Sequence, residues 1–228
     1  EDHPELLSCS ADDVVAWLAG HDWSASTRHS WRSALAVFYQ WAVVTGRVTV
    51  SPVAALPAVK VPRRFARPTP EQVVEQAMDR ATPRVRLMIE LAGRCGLRRG
   101  EIALVHSDDL VEDLVGWSLI AHGKGGKDRY VPVPRDVAQR IREAGGWVFP
   151  GAIEGHLSAR RAGDLIADAL PAGSTAHTLR HRFATRTYAA ARDLVAVQEL
   201  LGHAKPETTR LYIETPPDSL RAAVAWAA

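Results

Sequence analysis

Prolines set the first constraint on this chain. From Pro57 to Pro68 it carries Pro57, Pro62 and Pro68 among the cations Lys60, Arg63, Arg64 and Arg67. A proline removes a backbone donor and fixes its own φ, so neither a helix nor a central strand runs through this stretch. The chain of 228 residues is therefore expected to divide into a helical domain over 1–60, a basic linker at 61–68 and a second domain over 69–228. At 46% hydrophobic residues it holds enough apolar side chains for a core in each part.

The N-terminal part reads as helical. Ser10 precedes Asp12 and Asp13, a capping hydroxyl followed by acids where the helix dipole favours them. No helix is expected ahead of Ser10. A second helix starts near Ser26, with Trp31, Leu35, Phe38 and Trp41 as its apolar stripe and Gly46 at its end. Arg28 and Arg32 fall mainly off that stripe.

Beyond the linker, Thr69, Pro70 and Glu71 form a helix start, and Thr82-Pro83 opens a helix running to Cys95. Residues 117–121 and 129–133 read as strands joined through Gly123, Lys124, Gly125, Gly126, Lys127 and Asp128, a β-hairpin. Helices are expected over 136–144, 159–169, 179–190 and 195–201, with a short one carrying Tyr212 and an amphipathic one over 218–228. The fold class is mainly α with a small antiparallel β-sheet.

The formal net charge is only +2, so distribution says more than the sum. Cations gather in the linker and again at Arg180, His181, Arg182 and Arg186; a clustered basic face binds phosphates even when total charge is small. The two cysteines, Cys9 and Cys95, make no disulfide framework and have no metal-ligand spacing, which suits a reducing cytoplasm. No apolar run reaches the length of a membrane span.

Four short segments carry the chemistry: Gly96 to Glu101 with Arg98, Gly123 to Lys127 with Lys124, His177 to His181 with Arg180, and Leu201 to His203 followed by Tyr212. Each alone is weak. The hairpin lacks the Gly-x-x-x-x-Gly-Lys-Ser/Thr spacing of a nucleotide loop. His177 and His181 lie one helical turn apart but lack the acidic partner of a zinc protease pair, so no metal is expected.

Together and in this order the segments resemble the tyrosine recombinases, the family of phage integrases and Xer-type resolvases. The resemblance covers nearly the whole chain. It implies a helical core-binding domain followed by an α+β catalytic domain. It implies Arg98 and Arg180 as catalytic arginines, Lys124 as the hairpin lysine, His177 and His203 as the histidines and Tyr212 as the nucleophile. Glu101 matches the acid that supports the first arginine. A 3′-phosphotyrosyl intermediate and a Holliday junction follow, without metal or cofactor. The implied partners are double-stranded DNA recombination sites, further protomers in a homotetramer, and a directionality factor.

The residue types suit that chemistry. Attack on a phosphodiester moves charge onto its non-bridging oxygens, and two arginines can grip those oxygens with permanently charged planar forks. A tyrosine of pKa ~10 needs a base, for which His177 serves; the leaving 5′ oxygen needs an acid, for which Lys124 serves. DNA contacts are expected from Thr27, Arg28, Arg32, Lys60, Arg63, Arg64, Arg67, Lys127 and Arg182. The terminal helix docks either on a neighbouring protomer or on its own domain. The rival readings are a Xer-type resolvase, a type IB topoisomerase, and a DNA-binding regulator without catalysis.

Overall fold

The computed structural model describes residues 4–62, 68–123 and 125–202. The helices expected around Tyr212 and over 218–228 lie outside the described residues. The chain falls into two compact units, Glu1–Arg64 and Phe65–Ala228.

In the N-terminal unit, α1 (Pro4–Leu7) is followed by α2 (Ala11–Ala19) and α3 (Ala25–Val44). Ser10 caps α2 reciprocally: the Asp13 amide donates to Ser10 Oγ at 3.2 Å, and the Ser10 amide donates to Asp13 Oδ2 at 2.8 Å. Helix α1 corrects the expectation of none ahead of Ser10. Its single turn is too short for periodicity to reveal, and Tyr39 Oη holds it by donating to Leu6 O at 2.7 Å. The stripe of α3 also needs correction. Tyr39 and Ala42 are buried, with Leu35 and Phe38 packed alongside, while Trp31 and Trp41 remain 45% and 44% exposed. At 100° per residue the inward arc centres on Leu35, Tyr39 and Ala42, leaving Trp31 at its margin and Trp41 well outside it. Trp31 packs instead against Trp17 and Trp23, at ring separations of 5.5 and 5.7 Å.

In the second unit, α4 (Glu71–Arg80) precedes α5 (Pro83–Gly93), whose residues from Leu87 to Gly93 are all buried. A helix buried on every side belongs at the centre of a domain. Around it pack α6 (Arg99–Ala103), α7 (Arg135–Glu143), α8 (Ala159–Asp168) and α9 (Ala176–Ala191). Strands β1 (Leu110–Glu112), β2 (Trp117–Ala121) and β3 (Arg129–Val133) form an antiparallel sheet in that order. In the β2–β3 register Leu119 faces Val131, and the inward residues Leu119, Ala121, Val131 and Val133 share a core with Val137 and Ile141 of α7. A strand-like stretch, β4 (Pro150–Ile153), pairs only locally with His156.

Helix α9 begins at Ala176, earlier than the sequence suggested, because Thr175 caps it. It ends at Arg192 with φ 54°, and Asp193 then caps α10 (Leu194–Leu201). Among the described residues no helix is long and apolar enough to cross a membrane, and no group of three His, Cys, Asp or Glu side chains could hold a metal ion.

Candidate active site

The site starts where α5 stops. Gly96 turns the chain with φ +68°, and a Cβ there would sit 2.4 Å from the Phe183 ring. Only glycine takes this left-handed turn at such close approach without strain. The turn drops Leu97 into the core and sets Arg98 at the head of α6.

Arg98 is held by Glu101 at both ends. Its amide donates to Glu101 Oε2 at 2.7 Å and its guanidinium to Oε1 at 2.8 Å. Arg129 of β3 makes a two-pronged bond to the same carboxylate, at 2.7 and 2.9 Å. Arg180 lies 3.7 Å from it, with a side chain only 2% exposed, and donates to Gly96 O at 2.5 Å. Burial alone would push the Glu101 carboxyl up. The hydrogen bonds and charge of Arg129, with those of Arg98, outweigh it and hold the group below the usual carboxylate range.

The three arginines also grip the end of α10. Arg129 Nε donates to Leu200 O at 2.8 Å, Arg180 donates to Leu201 O, and Arg98 donates to Gly202 O at 3.1 Å. Carbonyls at a helix C-terminus carry partial negative charge and suit guanidinium donors. Three guanidinium groups against one carboxylate leave positive charge in excess, and Arg98 remains 41% exposed at the side chain. The cluster can therefore receive an anion.

His177 stands in the first turn of α9, with Nε2 3.1 Å from Nε2 of His181. Partial burial, then the charges of Arg180 and Arg98, lower its pKa from the ordinary 6.5. A neutral imidazole beside an anion-binding cluster can accept a proton near neutral pH. Arg98, Glu101, His122, Gly123, His177 and Arg180 line one pocket of about 950 Å³.

Of the residues singled out in the sequence, the fold brings Arg98, Glu101, His177 and Arg180 to one pocket. Lys124, His203, Tyr212, Arg63, Arg64 and Arg67 lie outside the described residues. Lys60 and Lys127 are exposed. Arg182 corrects its expectation as a DNA contact: it is 8% exposed and spends its guanidinium on Gly93 O and the Glu71 carboxylate, bracing α9 against α4 and α5. Arg28 and Arg32 are half-buried and donate to Trp23 O at 3.4 Å and Leu56 O at 2.6 Å. Thr27 is exposed in the first turn of α3, its amide bonded to Ser24 Oγ at 3.2 Å. Sequence reasoning missed Arg129 and His122. Their contacts, Arg129 with Glu101 and His122 with Asp109 and Asp128, emerge only in the fold.

A protein-family model described as the phage integrase family matches residues 68–217. Tyrosine recombinase XerD of Rhizobium meliloti strain 1021 is 31% identical, over 91% of this chain and 76% of that protein. Tyrosine recombinase XerC of Xanthomonas campestris pv. campestris strain B100 is 34% identical, over 79% of this chain and 61% of that protein. The chain thus spans about three fifths to three quarters of these relatives. Among solved structures, the integrase of mycobacterium phage Brujita matches at 30% identity and a TM-score of 0.56, over 95% of this chain and 77% of that one. A lambda integrase dimer bound to a core site matches in fold at a TM-score of 0.72 and 22% identity, over 91% of this chain and 65% of that one. The arginine pocket, the matched residues and these relatives agree: the chain belongs to the phage integrase family of tyrosine recombinases.

Proposed function

We propose that this chain is a site-specific DNA recombinase of the integrase type, which cuts and rejoins DNA to insert or excise a mobile element. The observation that carries this reading is the pocket in which Arg98 and Arg180 surround buried Glu101 beside a His177 of lowered pKa. The lambda integrase dimer that shares the fold is bound to a core site, which supports DNA as the partner here.

In this mechanism Arg98 and Arg180 hold the non-bridging oxygens of the scissile phosphate, and His203 adds a hydrogen bond. Preorganised donors of this kind are worth roughly 3–4 kcal/mol each in the transition state. His177 takes the proton of Tyr212. The phenolate oxygen bonds to phosphorus, the bond from phosphorus to the 5′ oxygen breaks, and Lys124 protonates the leaving oxygen. The 3′-phosphotyrosyl link keeps the bond energy, so a 5′ hydroxyl from a second duplex can reverse the attack and join new partners without ATP. Two such exchanges pass through a Holliday junction, and a homotetramer on paired sites would supply four nucleophiles. Lys60, Arg63, Arg64, Arg67, Lys127 and Thr27 are the proposed backbone contacts, giving affinity and salt dependence. A directionality factor fits the same scheme.

The test is a recombination-site duplex nicked so that the cleaved end diffuses away. Wild-type protein is expected to leave a protein–DNA adduct on a denaturing gel, and Tyr212→Phe none. Binding without any adduct would refute the assignment and favour an inert DNA-binding protein. The XerC and XerD relatives support a second reading, resolution of chromosome dimers. Recombination on a chromosomal terminus site instead of a mobile-element attachment site would select it.

A further inference from the structure

His122, at the neck of the β2–β3 hairpin, is used by nothing above, yet its ring touches acceptors on both sides. Nε2 lies 3.0 Å from Asp109 Oδ1, in the 3-10 turn (Ser107–Asp109) ahead of β1. Nδ1 lies 3.1 Å from Asp128 Oδ2, on the returning limb of the hairpin. Carboxylates only accept hydrogen bonds, so both contacts are satisfied only when both ring nitrogens carry a proton. The charged imidazole then ties the neck to the body of the sheet through Asp109 and closes it through Asp128.

A second observation marks the same neck as fixed. A Cβ on Gly123 would fall 2.2 Å from Lys127 O, so the two limbs already meet at backbone contact. Gly123 lines the arginine pocket, and Lys124 is bonded to it.

We infer that His122 is a positioning residue for the hairpin lysine: its two-sided bridge between Asp109 and Asp128 fixes the neck of the hairpin that carries Lys124. The inference rests on the recombinase reading. A displacement of about 1 Å in a catalytic group can lower a rate by about 10²-fold, so a loosened neck is felt at the leaving oxygen. The bridge is also conditional on protonation. Hydrogen bonding to Asp109 first, with that to Asp128, raises the His122 pKa against the opposing effect of burial. Among the described residues these two carboxylates are the charged groups that set its titration. The bridge is complete while the imidazole and both carboxylates are charged, and it loses one contact as pH rises through the raised His122 pKa.

The test compares two nicked substrates, one with the natural 5′ oxygen at the scissile bond and one with sulfur in that place. A thiol has a pKa near ~8.5 and leaves as thiolate without an acid, so the sulfur substrate bypasses Lys124. Wild-type protein must form the adduct on both; failure on both would refute the recombinase reading itself. His122→Ala and Asp128→Asn are expected to slow adduct formation at least about tenfold on the oxygen substrate and less than about twofold on the sulfur substrate. In the wild type, the oxygen-to-sulfur rate ratio should fall with pH at a lower pH than any decline in His122→Ala. An equal loss on both substrates would mean general structural damage, and no loss on either would mean no role; both outcomes overturn the inference.

Discussion

Glu101 is a buried carboxylate with more cationic partners than its charge can balance. Removing it leaves Arg98, Arg129 and Arg180 crowded without compensation. Breaking a buried pair from one side typically costs about 3–5 kcal/mol. Glu101→Ala should therefore lower stability by about that amount, read as a shift in urea midpoint, and abolish adduct formation. The pH dependence has a definite sign. The folded-state pKa of Glu101 lies below the ordinary 4.5, so its contribution is full above that value and lost as pH falls through the depressed one. Glu101→Ala should flatten that acid limb in urea titrations at pH 3–6. Unchanged acid sensitivity would assign it to other carboxylates, with Glu71 and Asp136, both also held low by arginines, the first to test. The Arg98, Glu101, His177 and Arg180 positions were legible in the sequence because their order and spacing are specific. Arg129 was not, since an arginine on a strand looks like a solvated one until the fold brings Glu101 beneath it.

Elements long enough to show a period could be read in advance. Helices α5, α7, α8 and the β2–β3 hairpin lie close to their expected ranges. Helices α1 and α6 and strand β1, of four, five and three residues, carry less than two turns or two alternations, so periodicity cannot register them. Yet α6 presents Arg98, and it depends on the turn at Gly96. Gly96→Ala puts a side chain in the left-handed region and into the Phe183 ring. The backbone penalty alone is about 1–3 kcal/mol. Thermal unfolding should show that loss, and adduct formation should fall further than stability because Arg98 shifts with the turn. A variant of wild-type stability and activity would show that the turn adapts freely.

The two units of the chain are unequal. The buried apolar residues of the first core are Val14, Leu18, Tyr39 and Val53, whereas the second core is continuous from Val74 to Leu179. A small core buries a smaller share of its surface and is correspondingly marginal. Calorimetry should resolve an early transition absent from the fragment 69–228 and a later one that the fragment retains; a single transition in the full chain would refute this independence. The linker prediction is electrostatic. Each phosphate neutralised contributes a slope of about 0.9 to the dependence of log affinity on log salt. Replacing Arg63, Arg64 and Arg67 by alanine should reduce that slope by about 2–3 if all three lie on the backbone, and leave it unchanged if they only solvate the linker.

The three carbonyls at the end of α10, taken up by Arg129, Arg180 and Arg98, also act as a mooring. The chain leaves the arginine cluster at Gly202, and Tyr212 follows ten residues later. Fully extended, that length reaches at most roughly 35 Å. Covalent connection alone therefore confines Tyr212 within that radius of the arginines proposed to hold the phosphate it attacks.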